Sequence, residues 1–328
     1  MIIDRSKVRR ILVISLSNVG DVILTTPVVR TLEAYLPDAR IDVLVGPNGE
    51  EVFAKDPAVS KVIVFDKHAV LIEKRRLVAK LRSLKYDLVV DLRNTIFGLL
   101  IGPRYRTSTI QVPPAAALHK KEEHLCKLKG LGIEPLFHDL SVHLTRDDER
   151  LAANLLAAEG VHGDFVAVAP GAKGVLKRWP EDAYAMLCDR IAAEMKNAVV
   201  FVGSGEDAEI IQRIRVKMRT KPVSLVDRTA LRELGSVLKR SRLVITNDSA
   251  PLHLGCAVRA KVLAIFGPTD SAKYGPAGPS DVVMRKELAC APCESAQCLR
   301  QHECMRSITV DEVYDAAARM LREQPAAS

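Results

Sequence analysis

Asp21 stands directly after Gly20, just beyond the apolar run 11–16, where a buried strand must end and the chain must turn into a helix. Open α/β sheets hold their ligands beyond the carboxyl ends of the strands. A carboxylate at such a place can cap the following helix or take a proton from a substrate hydroxyl. On this segment alone both readings stand.

Three further loops at strand ends carry unusual side chains. In the first, Gly171 and Gly174 let backbone amides approach a ligand closely, while Lys173, Lys177 and Arg178 supply positive charge and Trp179-Pro180 open the next helix. A basic loop with a packed Trp is the plain alternative. In the second, Gly203 turns the chain after a strand, and Asp207 beyond it suits a carboxylate bonded to ribose hydroxyls, although helix N-termini favour acidic residues anyway. The third runs through Asp248, Ser249, Pro251 and His253. Ser249 as N-cap with Pro251 just inside the helix would aim amides at an anion, and His253 lies one turn in. Asp248 would repel a phosphate, so sugar hydroxyls are its expected partners.

Positioning these loops requires strands, and the pattern supplies them. Apolar runs at 9–15, 41–45, 61–65 and 87–91 alternate with helix-like segments at 22–35 and 70–84, the latter with a basic face of Lys74, Arg75, Arg76, Lys80 and Arg82. The alternation restarts in the second half, with strands at 165–169, 198–202, 223–226, 243–246 and 261–266. Helices fall at 181–195, 207–218, 230–239 and 251–258, and a capped amphipathic helix closes the chain at 309–322. This predicts an α/β protein of two doubly wound parallel sheets. A charged, Ala-rich helix at 147–159 leads to Gly160 and Gly163, which puts the domain boundary there, with domains 1–155 and 156–328. Two such sheets facing one another leave a cleft, the usual place of a ligand. The Pro-rich, basic stretch 102–121, with Arg104, Arg106 and Lys120, reads as loops around one short strand, receiving an anionic substrate or simply solvated.

Composition narrows the partners. A net charge of +8 favours an anionic one, yet aromatic residues make up only 4% with a single Trp, which argues against a base-stacking nucleic-acid platform. No apolar run reaches the roughly 20 residues that cross a bilayer. The basic N-terminus is followed by an apolar run too short for a secretory signal, so a cytoplasmic protein is expected. Neither a Gly-x-Gly-x-x-Gly after the first strand nor a Walker-type loop occurs, and no Gly-x-Ser-x-Gly elbow is present. These absences weaken dinucleotide-dependent redox chemistry, P-loop phosphotransfer and serine hydrolysis.

Taken in order, Gly20-Asp21 with Pro27, Pro170-Gly171-Ala172, Lys177-Arg178-Trp179-Pro180, Gly203 with Asp207, Thr246-Asn247-Asp248-Ser249 with His253, and Phe266-Gly267-Pro268-Thr269-Asp270 resemble glycosyltransferase family 9 over nearly the whole chain. The resemblance implies a GT-B architecture, with a first domain for the acceptor and a second gripping a nucleotide sugar. It further implies ADP-heptose as donor, the inner core of lipopolysaccharide as acceptor, inverting chemistry, and work at the anionic inner face of the inner membrane. By resemblance Asp21 is the catalytic base and Lys177 contacts donor phosphate. Asp207 meets ribose, and Gly171, Ala172, Lys173, Asp248, Ser249, Ala250 and His253 fall in the donor loops. Ala250 and Pro251 depart from the family, whose members often carry Gly and a larger residue there. No paired-carboxylate motif is present, so a divalent ion is expected to be dispensable for catalysis.

Outside these loops, Cys290, Cys293, Cys298 and Cys304 form the sharpest local cluster. Its first pair has metal-knuckle spacing, and four thiolates suit structural zinc or iron; free thiols and disulfides are the alternatives. Cys126, Cys188 and Cys256 read as core residues. Two competing functions remain from the sequence: a GT-B transferase or epimerase using a UDP- or GDP-linked sugar, and a non-catalytic nucleotide- or metal-binding module.

Overall fold

The computed structural model describes residues 2–108, 118–276, 278–295 and 297–323. The chain divides into two compact units between His143 and Leu144.

The first unit is built on a parallel sheet of β1 (Arg10–Ser15), β2 (Arg40–Val45), β3 (Val59–Val64), β4 (Leu88–Asp91) and β5 (Tyr105–Arg106), in the order β3-β2-β1-β4-β5. Its central strands are apolar at nearly every position because both faces are covered. Leu12 and Ile14 of β1 join Leu77 and Leu81 of the helix Leu71–Ser83, and Phe97 and Ile101 of the helix Phe97–Ile101, in one core cluster.

The helix expected at 22–35 is two helices, Val19–Ile23 and Thr26–Tyr35. Pro27 near the start of the second has no N–H to continue the ladder. The hydroxyls of Thr25 and Thr26 satisfy the carbonyls of Val22 and Ile23 instead, at 2.6 and 2.8 Å.

The second unit carries β6 (Phe165–Ala169), β7 (Ala198–Phe201), β8 (Val223–Ser224), β9 (Leu243–Asn247), β10 (Val262–Ile265) and β11 (Val282–Met284), all parallel in the order β11-β10-β9-β6-β7-β8. The last strand, β11, has no counterpart in the sequence reading. The sheet packs on Tyr184, Leu187, Cys188 and Ile191 of the helix Glu181–Glu194 and on Val313, Ala316 and Met320 of the closing helix Val310–Arg322. That closing helix begins at a capping box of Thr309 and Glu312.

The helix Arg146–Ala158 lies wholly in the second unit, so the division falls ahead of it and not within it. Its Asp148 and Glu149 pair with Arg232 and Lys239 of the helix Leu231–Arg240 at 3.2 and 2.8 Å.

Candidate active site

Each sheet has one switch point, where successive connections run to opposite sides: between β1 and β4 in the first unit and between β6 and β9 in the second. The carboxyl ends of strands at a switch point are where open sheets bind ligands. Asp21 lies at the first, and the loops after Ala169 and Asn247 lie at the second.

Asp21 sits in the first turn of the helix Val19–Ile23 but does not cap it, since among the described residues no backbone amide donates to its carboxylate. Ser17 Oγ donates to Asp21 Oδ2, and an Arg93 guanidinium nitrogen lies 3.8 Å from the same oxygen. Oδ1 takes no hydrogen bond among the described residues. Such an arrangement holds one oxygen in place and leaves the other to meet a ligand. Arg93 was not singled out by the sequence. It follows the buried Asp91 at the end of β4, which accepts from the Arg93 amide at 2.9 Å and the Thr95 hydroxyl at 2.7 Å.

Of the three basic residues expected to receive an acceptor, only Lys120 belongs to this neighbourhood. Arg104 and Arg106 flank Tyr105 at the edge strand, where Tyr105 pairs with Leu88 and Arg106 with Val89, in the first half of β4 and short of its carboxyl end at Asp91. Residues 109–117 of that stretch lie outside the described residues. Lys120 and Lys127 instead flank His124 on the helix Lys120–Lys129. Lys127 Nζ donates to Asp91 O at 2.9 Å and to Asn94 Oδ1 at 2.5 Å, and burial pulls its pKa down to about 8.

His124 is buried, and among the described residues neither ring nitrogen has a partner. Burial first, then Lys120, Lys127 and Arg93, push its pKa down to about 3. The unfolded chain takes up a proton near the ordinary value of 6.5 that the folded protein refuses. Stability is therefore complete above that value and falls as pH drops towards the folded one. Between pH 7 and pH 5 the loss is about 2 kcal/mol. Urea midpoints of the His124→Phe protein should show a slope with pH flatter by that amount; an unchanged slope would mean the ring is already protonated when folded.

In the second unit the loop after β6 is held by one buried amide. Asn247 at the end of β9 accepts from the Trp179 amide (3.2 Å) and the Tyr184 hydroxyl (3.0 Å), and its Nδ2 donates to Pro170 O (2.7 Å). Every polar atom of that side chain is used, so the span from Pro170 to Trp179 is fixed at both ends. Trp179 Nε1 donates to Ile308 O at 3.0 Å, and the ring packs edge-on against Tyr184. Asn247 is a positioning residue that only its place between the notable Thr246 and Asp248 could have flagged.

Within this frame Lys177 Nζ donates to Asp248 Oδ2 at 2.6 Å. The pair neutralises Asp248, which removes the repulsion that had pointed it towards sugar hydroxyls. Arg178 turns back to Ala172 O at 2.8 Å, while Lys173 is exposed. Asp207 caps its own turn, accepting from Ser204 N and Oγ at 2.9 and 3.0 Å through Oδ2. Its Oδ1 fills the space that a Cβ on Gly171 would take. Gly171 is thus glycine so that the two loops can meet. Gly171→Ala should force them apart at about 1–3 kcal/mol and weaken nucleotide binding about tenfold by calorimetric titration; unchanged affinity would show that neither loop touches the ligand.

Ser249 precedes the helix Ala250–Ala257, as expected, but its hydroxyl does not cap it; Oγ lies 3.1 Å from Thr246 Oγ1. His253 is buried one turn in, next to the half-buried Ala250 and Pro251 at the helix start.

The four clustered cysteines fold over the loop after β10. The amides of Cys293 and Glu294 both donate to Pro268 O at 2.9 Å, and Cys304 lies against Gly267. Burial raises the Cys304 thiol, and Cys298, Cys290 and Cys293 add to the shift. All seven cysteines are free thiols, and among the described residues no three His, Cys, Asp or Glu side chains are arranged to hold a metal ion. Cys126 is exposed and Cys256 half-buried, so of the three cysteines expected in the core only Cys188 is there. Cys126 lies on the exposed side of a charged helix whose inward positions are Leu125 and Leu128.

Comparison with known proteins adds family to geometry. The model of glycosyltransferase family 9 (heptosyltransferase) matches residues 130–303, a little over half of the chain. Lipopolysaccharide heptosyltransferase 3 of Escherichia coli K12 is 29% identical over 282 residues, 78% of this chain and 82% of that protein. Among solved structures, a family 9 glycosyltransferase from Veillonella parvula superposes with a TM-score of 0.85 at 23% identity, covering 96% of this chain and 98% of its own. ADP-heptose lipopolysaccharide heptosyltransferase II of E. coli gives 0.78 at 23%, covering 95% and 98%. At such identities the structural likeness speaks for the fold, which is GT-B.

Proposed function

The chain belongs to glycosyltransferase family 9, and from that premise we propose that it transfers heptose from ADP-heptose to the inner core of lipopolysaccharide with inversion at the anomeric carbon. The heptose and the lipopolysaccharide acceptor follow the relatives' activity. ADP as the nucleotide follows the printed donor of the neighbouring E. coli structure.

The observation that carries the reading is the division of chemistry between the two switch points. One presents a carboxylate with an open oxygen, Asp21; the other presents a cation on a glycine-rich loop, Lys177, held by a buried amide. In the reaction an acceptor hydroxyl oxygen bonds to the anomeric carbon of the heptose. The bond from that carbon to the diphosphate oxygen breaks, and its electron pair leaves with ADP. Asp21 Oδ1 receives the hydroxyl proton, as a positioned general base does. Lys177, released from Asp248, meets the charge that grows on the leaving diphosphate. Asp207 and Asp248 are then available to the hydroxyls of ribose and heptose. Because the cation on the diphosphate is a side chain, transfer should persist in the presence of a chelator; loss of activity restored by added magnesium would contradict this.

A screen of nucleotides by thermal shift tests the donor directly. ADP should raise the melting temperature in a concentration-dependent way, while UDP and GDP should leave it unmoved. Stabilisation by UDP or GDP alone would instead favour a different nucleotide-sugar enzyme on the same fold.

A further inference from the structure

Lys127 has no task in the proposed transfer, yet the first unit places it where a lysine is poorly accommodated. Lys120, His124 and Lys127 share one face of the helix Lys120–Lys129 by their spacing of four and three residues, and Lys127 reaches from it to the loop after β4. Its half-buried ammonium has Lys120 and Arg93 as nearby cations, Asp91 and Glu123 as nearby acids, and the neutral His124 beside it. Glu123 is already paired with Lys120 at 2.5 Å. Burial, and after it the two cations, pull the pKa of Lys127 down to about 8. A methionine or leucine would pack at such a place without that penalty.

What the ammonium holds is the loop 91–95. It donates to Asp91 O at 2.9 Å and to Asn94 Oδ1 at 2.5 Å. Asn94 stands in the left-handed region at φ 53°, uncommon for a residue with a side chain. From the other side the Asp91 carboxylate accepts from the Arg93 amide and the Thr95 hydroxyl, and the Asp91 amide donates to Thr107 Oγ1 at 2.8 Å. The loop is thus fixed on one flank by Lys127 and on the other by Asp91. It presents Arg93, whose guanidinium lies 3.8 Å from Asp21 Oδ2 and makes no hydrogen bond among the described residues. With no bond of its own to keep it there, Arg93 owes its place to the loop.

We propose that Lys127 is a positioning residue of the transfer: it braces the loop after β4 so that Arg93 stands beside Asp21 and steadies that carboxylate for the acceptor hydroxyl. The inference rests on the reading of Asp21 as the general base. Charge-assisted hydrogen bonds are about twice as strong as neutral ones, so the brace is firmest while Lys127 carries its proton. The proton is lost as pH rises through about 8, and the brace slackens on the alkaline side. A direct hold on an anionic group of the acceptor is the poorer match, because the Lys127 ammonium already donates to two protein oxygens.

Steady-state transfer from ADP-heptose by the full chain, followed across neutral and alkaline pH, tests it. Lys127→Met should lower kcat about tenfold while acceptor KM and ADP affinity stay within about twofold of wild type. Its melting temperature should hold or rise, since Asp91 O keeps the Thr107 hydroxyl at 3.4 Å and a half-buried charge has gone. Wild-type kcat should decline as pH rises through about 8, towards the level of Lys127→Met, whose own profile lacks that limb. Lys127→Arg, which stays charged, should restore part of kcat and carry it further into the alkaline range. Because the effect runs through Arg93, adding Lys127→Met to Arg93→Met should slow transfer no further. Wild-type kcat in Lys127→Met, a kcat loss matched by a fall in melting temperature, or a raised acceptor KM at unchanged kcat would each overturn the proposal. So would a double variant about tenfold slower than Arg93→Met alone. Asp21→Asn tells the two readings apart. If it turns over normally, the base assignment falls and this inference with it; if it is inactive while Lys127→Met matches wild type, the brace alone is refuted.

Discussion

Asp21→Asn should lower the transfer rate by about 10²–10⁴-fold while leaving nucleotide affinity within about twofold of wild type. The amide keeps the size of the carboxylate and can still accept from Ser17 Oγ, so the local structure has no reason to move. What it loses is the ability to receive a proton at Oδ1. The separation of binding from turnover is the informative part. Nucleotide contacts are proposed for the second unit alone, so a titration with ADP should not distinguish the variant from wild type. Near-normal turnover in Asp21→Asn would remove this residue from the mechanism. A parallel loss of ADP affinity would mean it acts on the donor.

The second large effect is expected at Lys177. Lys177→Met should lower turnover by about 10²–10³-fold, the usual consequence of removing one charge stabiliser from a transition state. Unlike the Asp21 variant, it should also weaken ADP, because Asp248 then faces the diphosphate without its cation. The Lys177–Asp248 pair makes the cause separable. Asp248 is 8% exposed, and leaving it unpartnered in that setting is costly on its own. Adding Asp248→Asn to Lys177→Met should therefore recover stability and part of the ADP affinity, yet leave turnover low. If the double variant regained turnover, Lys177 would matter only as the partner of Asp248.

Much of this was legible in the residues because local signals and tertiary demands agree. The runs at 11–16 and 165–169 are too apolar for any place but the middle of a sheet covered on both faces, and both are central strands. The glycine at 171 was read as a place where the backbone nears a ligand; in the structure it is the Asp207 carboxylate that takes the space a side chain would need there. The unread parts are those fixed by partners distant in sequence. Arg93 is an unremarkable loop arginine until β4 sits beside β1 and brings it to Asp21. Asn247 looks like any polar residue in a strand-end motif until its amide is seen bonded to Pro170 and Trp179 of the loop after β6 and to Tyr184 of the helix that follows. The placement of the expected acceptor arginines was unreadable for a related reason. Parallel pairing of β5 with β4 sets Arg104 and Arg106 short of that strand's carboxyl end, which no local pattern encodes. The break at Pro27 was readable in principle, since its missing N–H and the two preceding threonines supply both the interruption and its repair.

The cysteine cluster marks a different limit. Spacing alone suits a metal, and the chain does gather the four thiols over the loop after β10, but without ligand geometry among the described residues. Thiolate sites assemble with their ion, so metal content of protein purified without chelator is the relevant measurement there.

The central claim is that a base in the first unit and a cation in the second serve one glycosyl transfer from ADP-heptose. Incubation of the purified chain with ADP-heptose and lipopolysaccharide acceptors truncated at successive core sugars, read by mass spectrometry, tests it most directly. The account predicts that one truncated acceptor gains a single heptose in step with ADP release, and that Asp21→Asn produces neither. Absence of any heptosylated acceptor, alongside transfer from a UDP- or GDP-linked sugar, would contradict it.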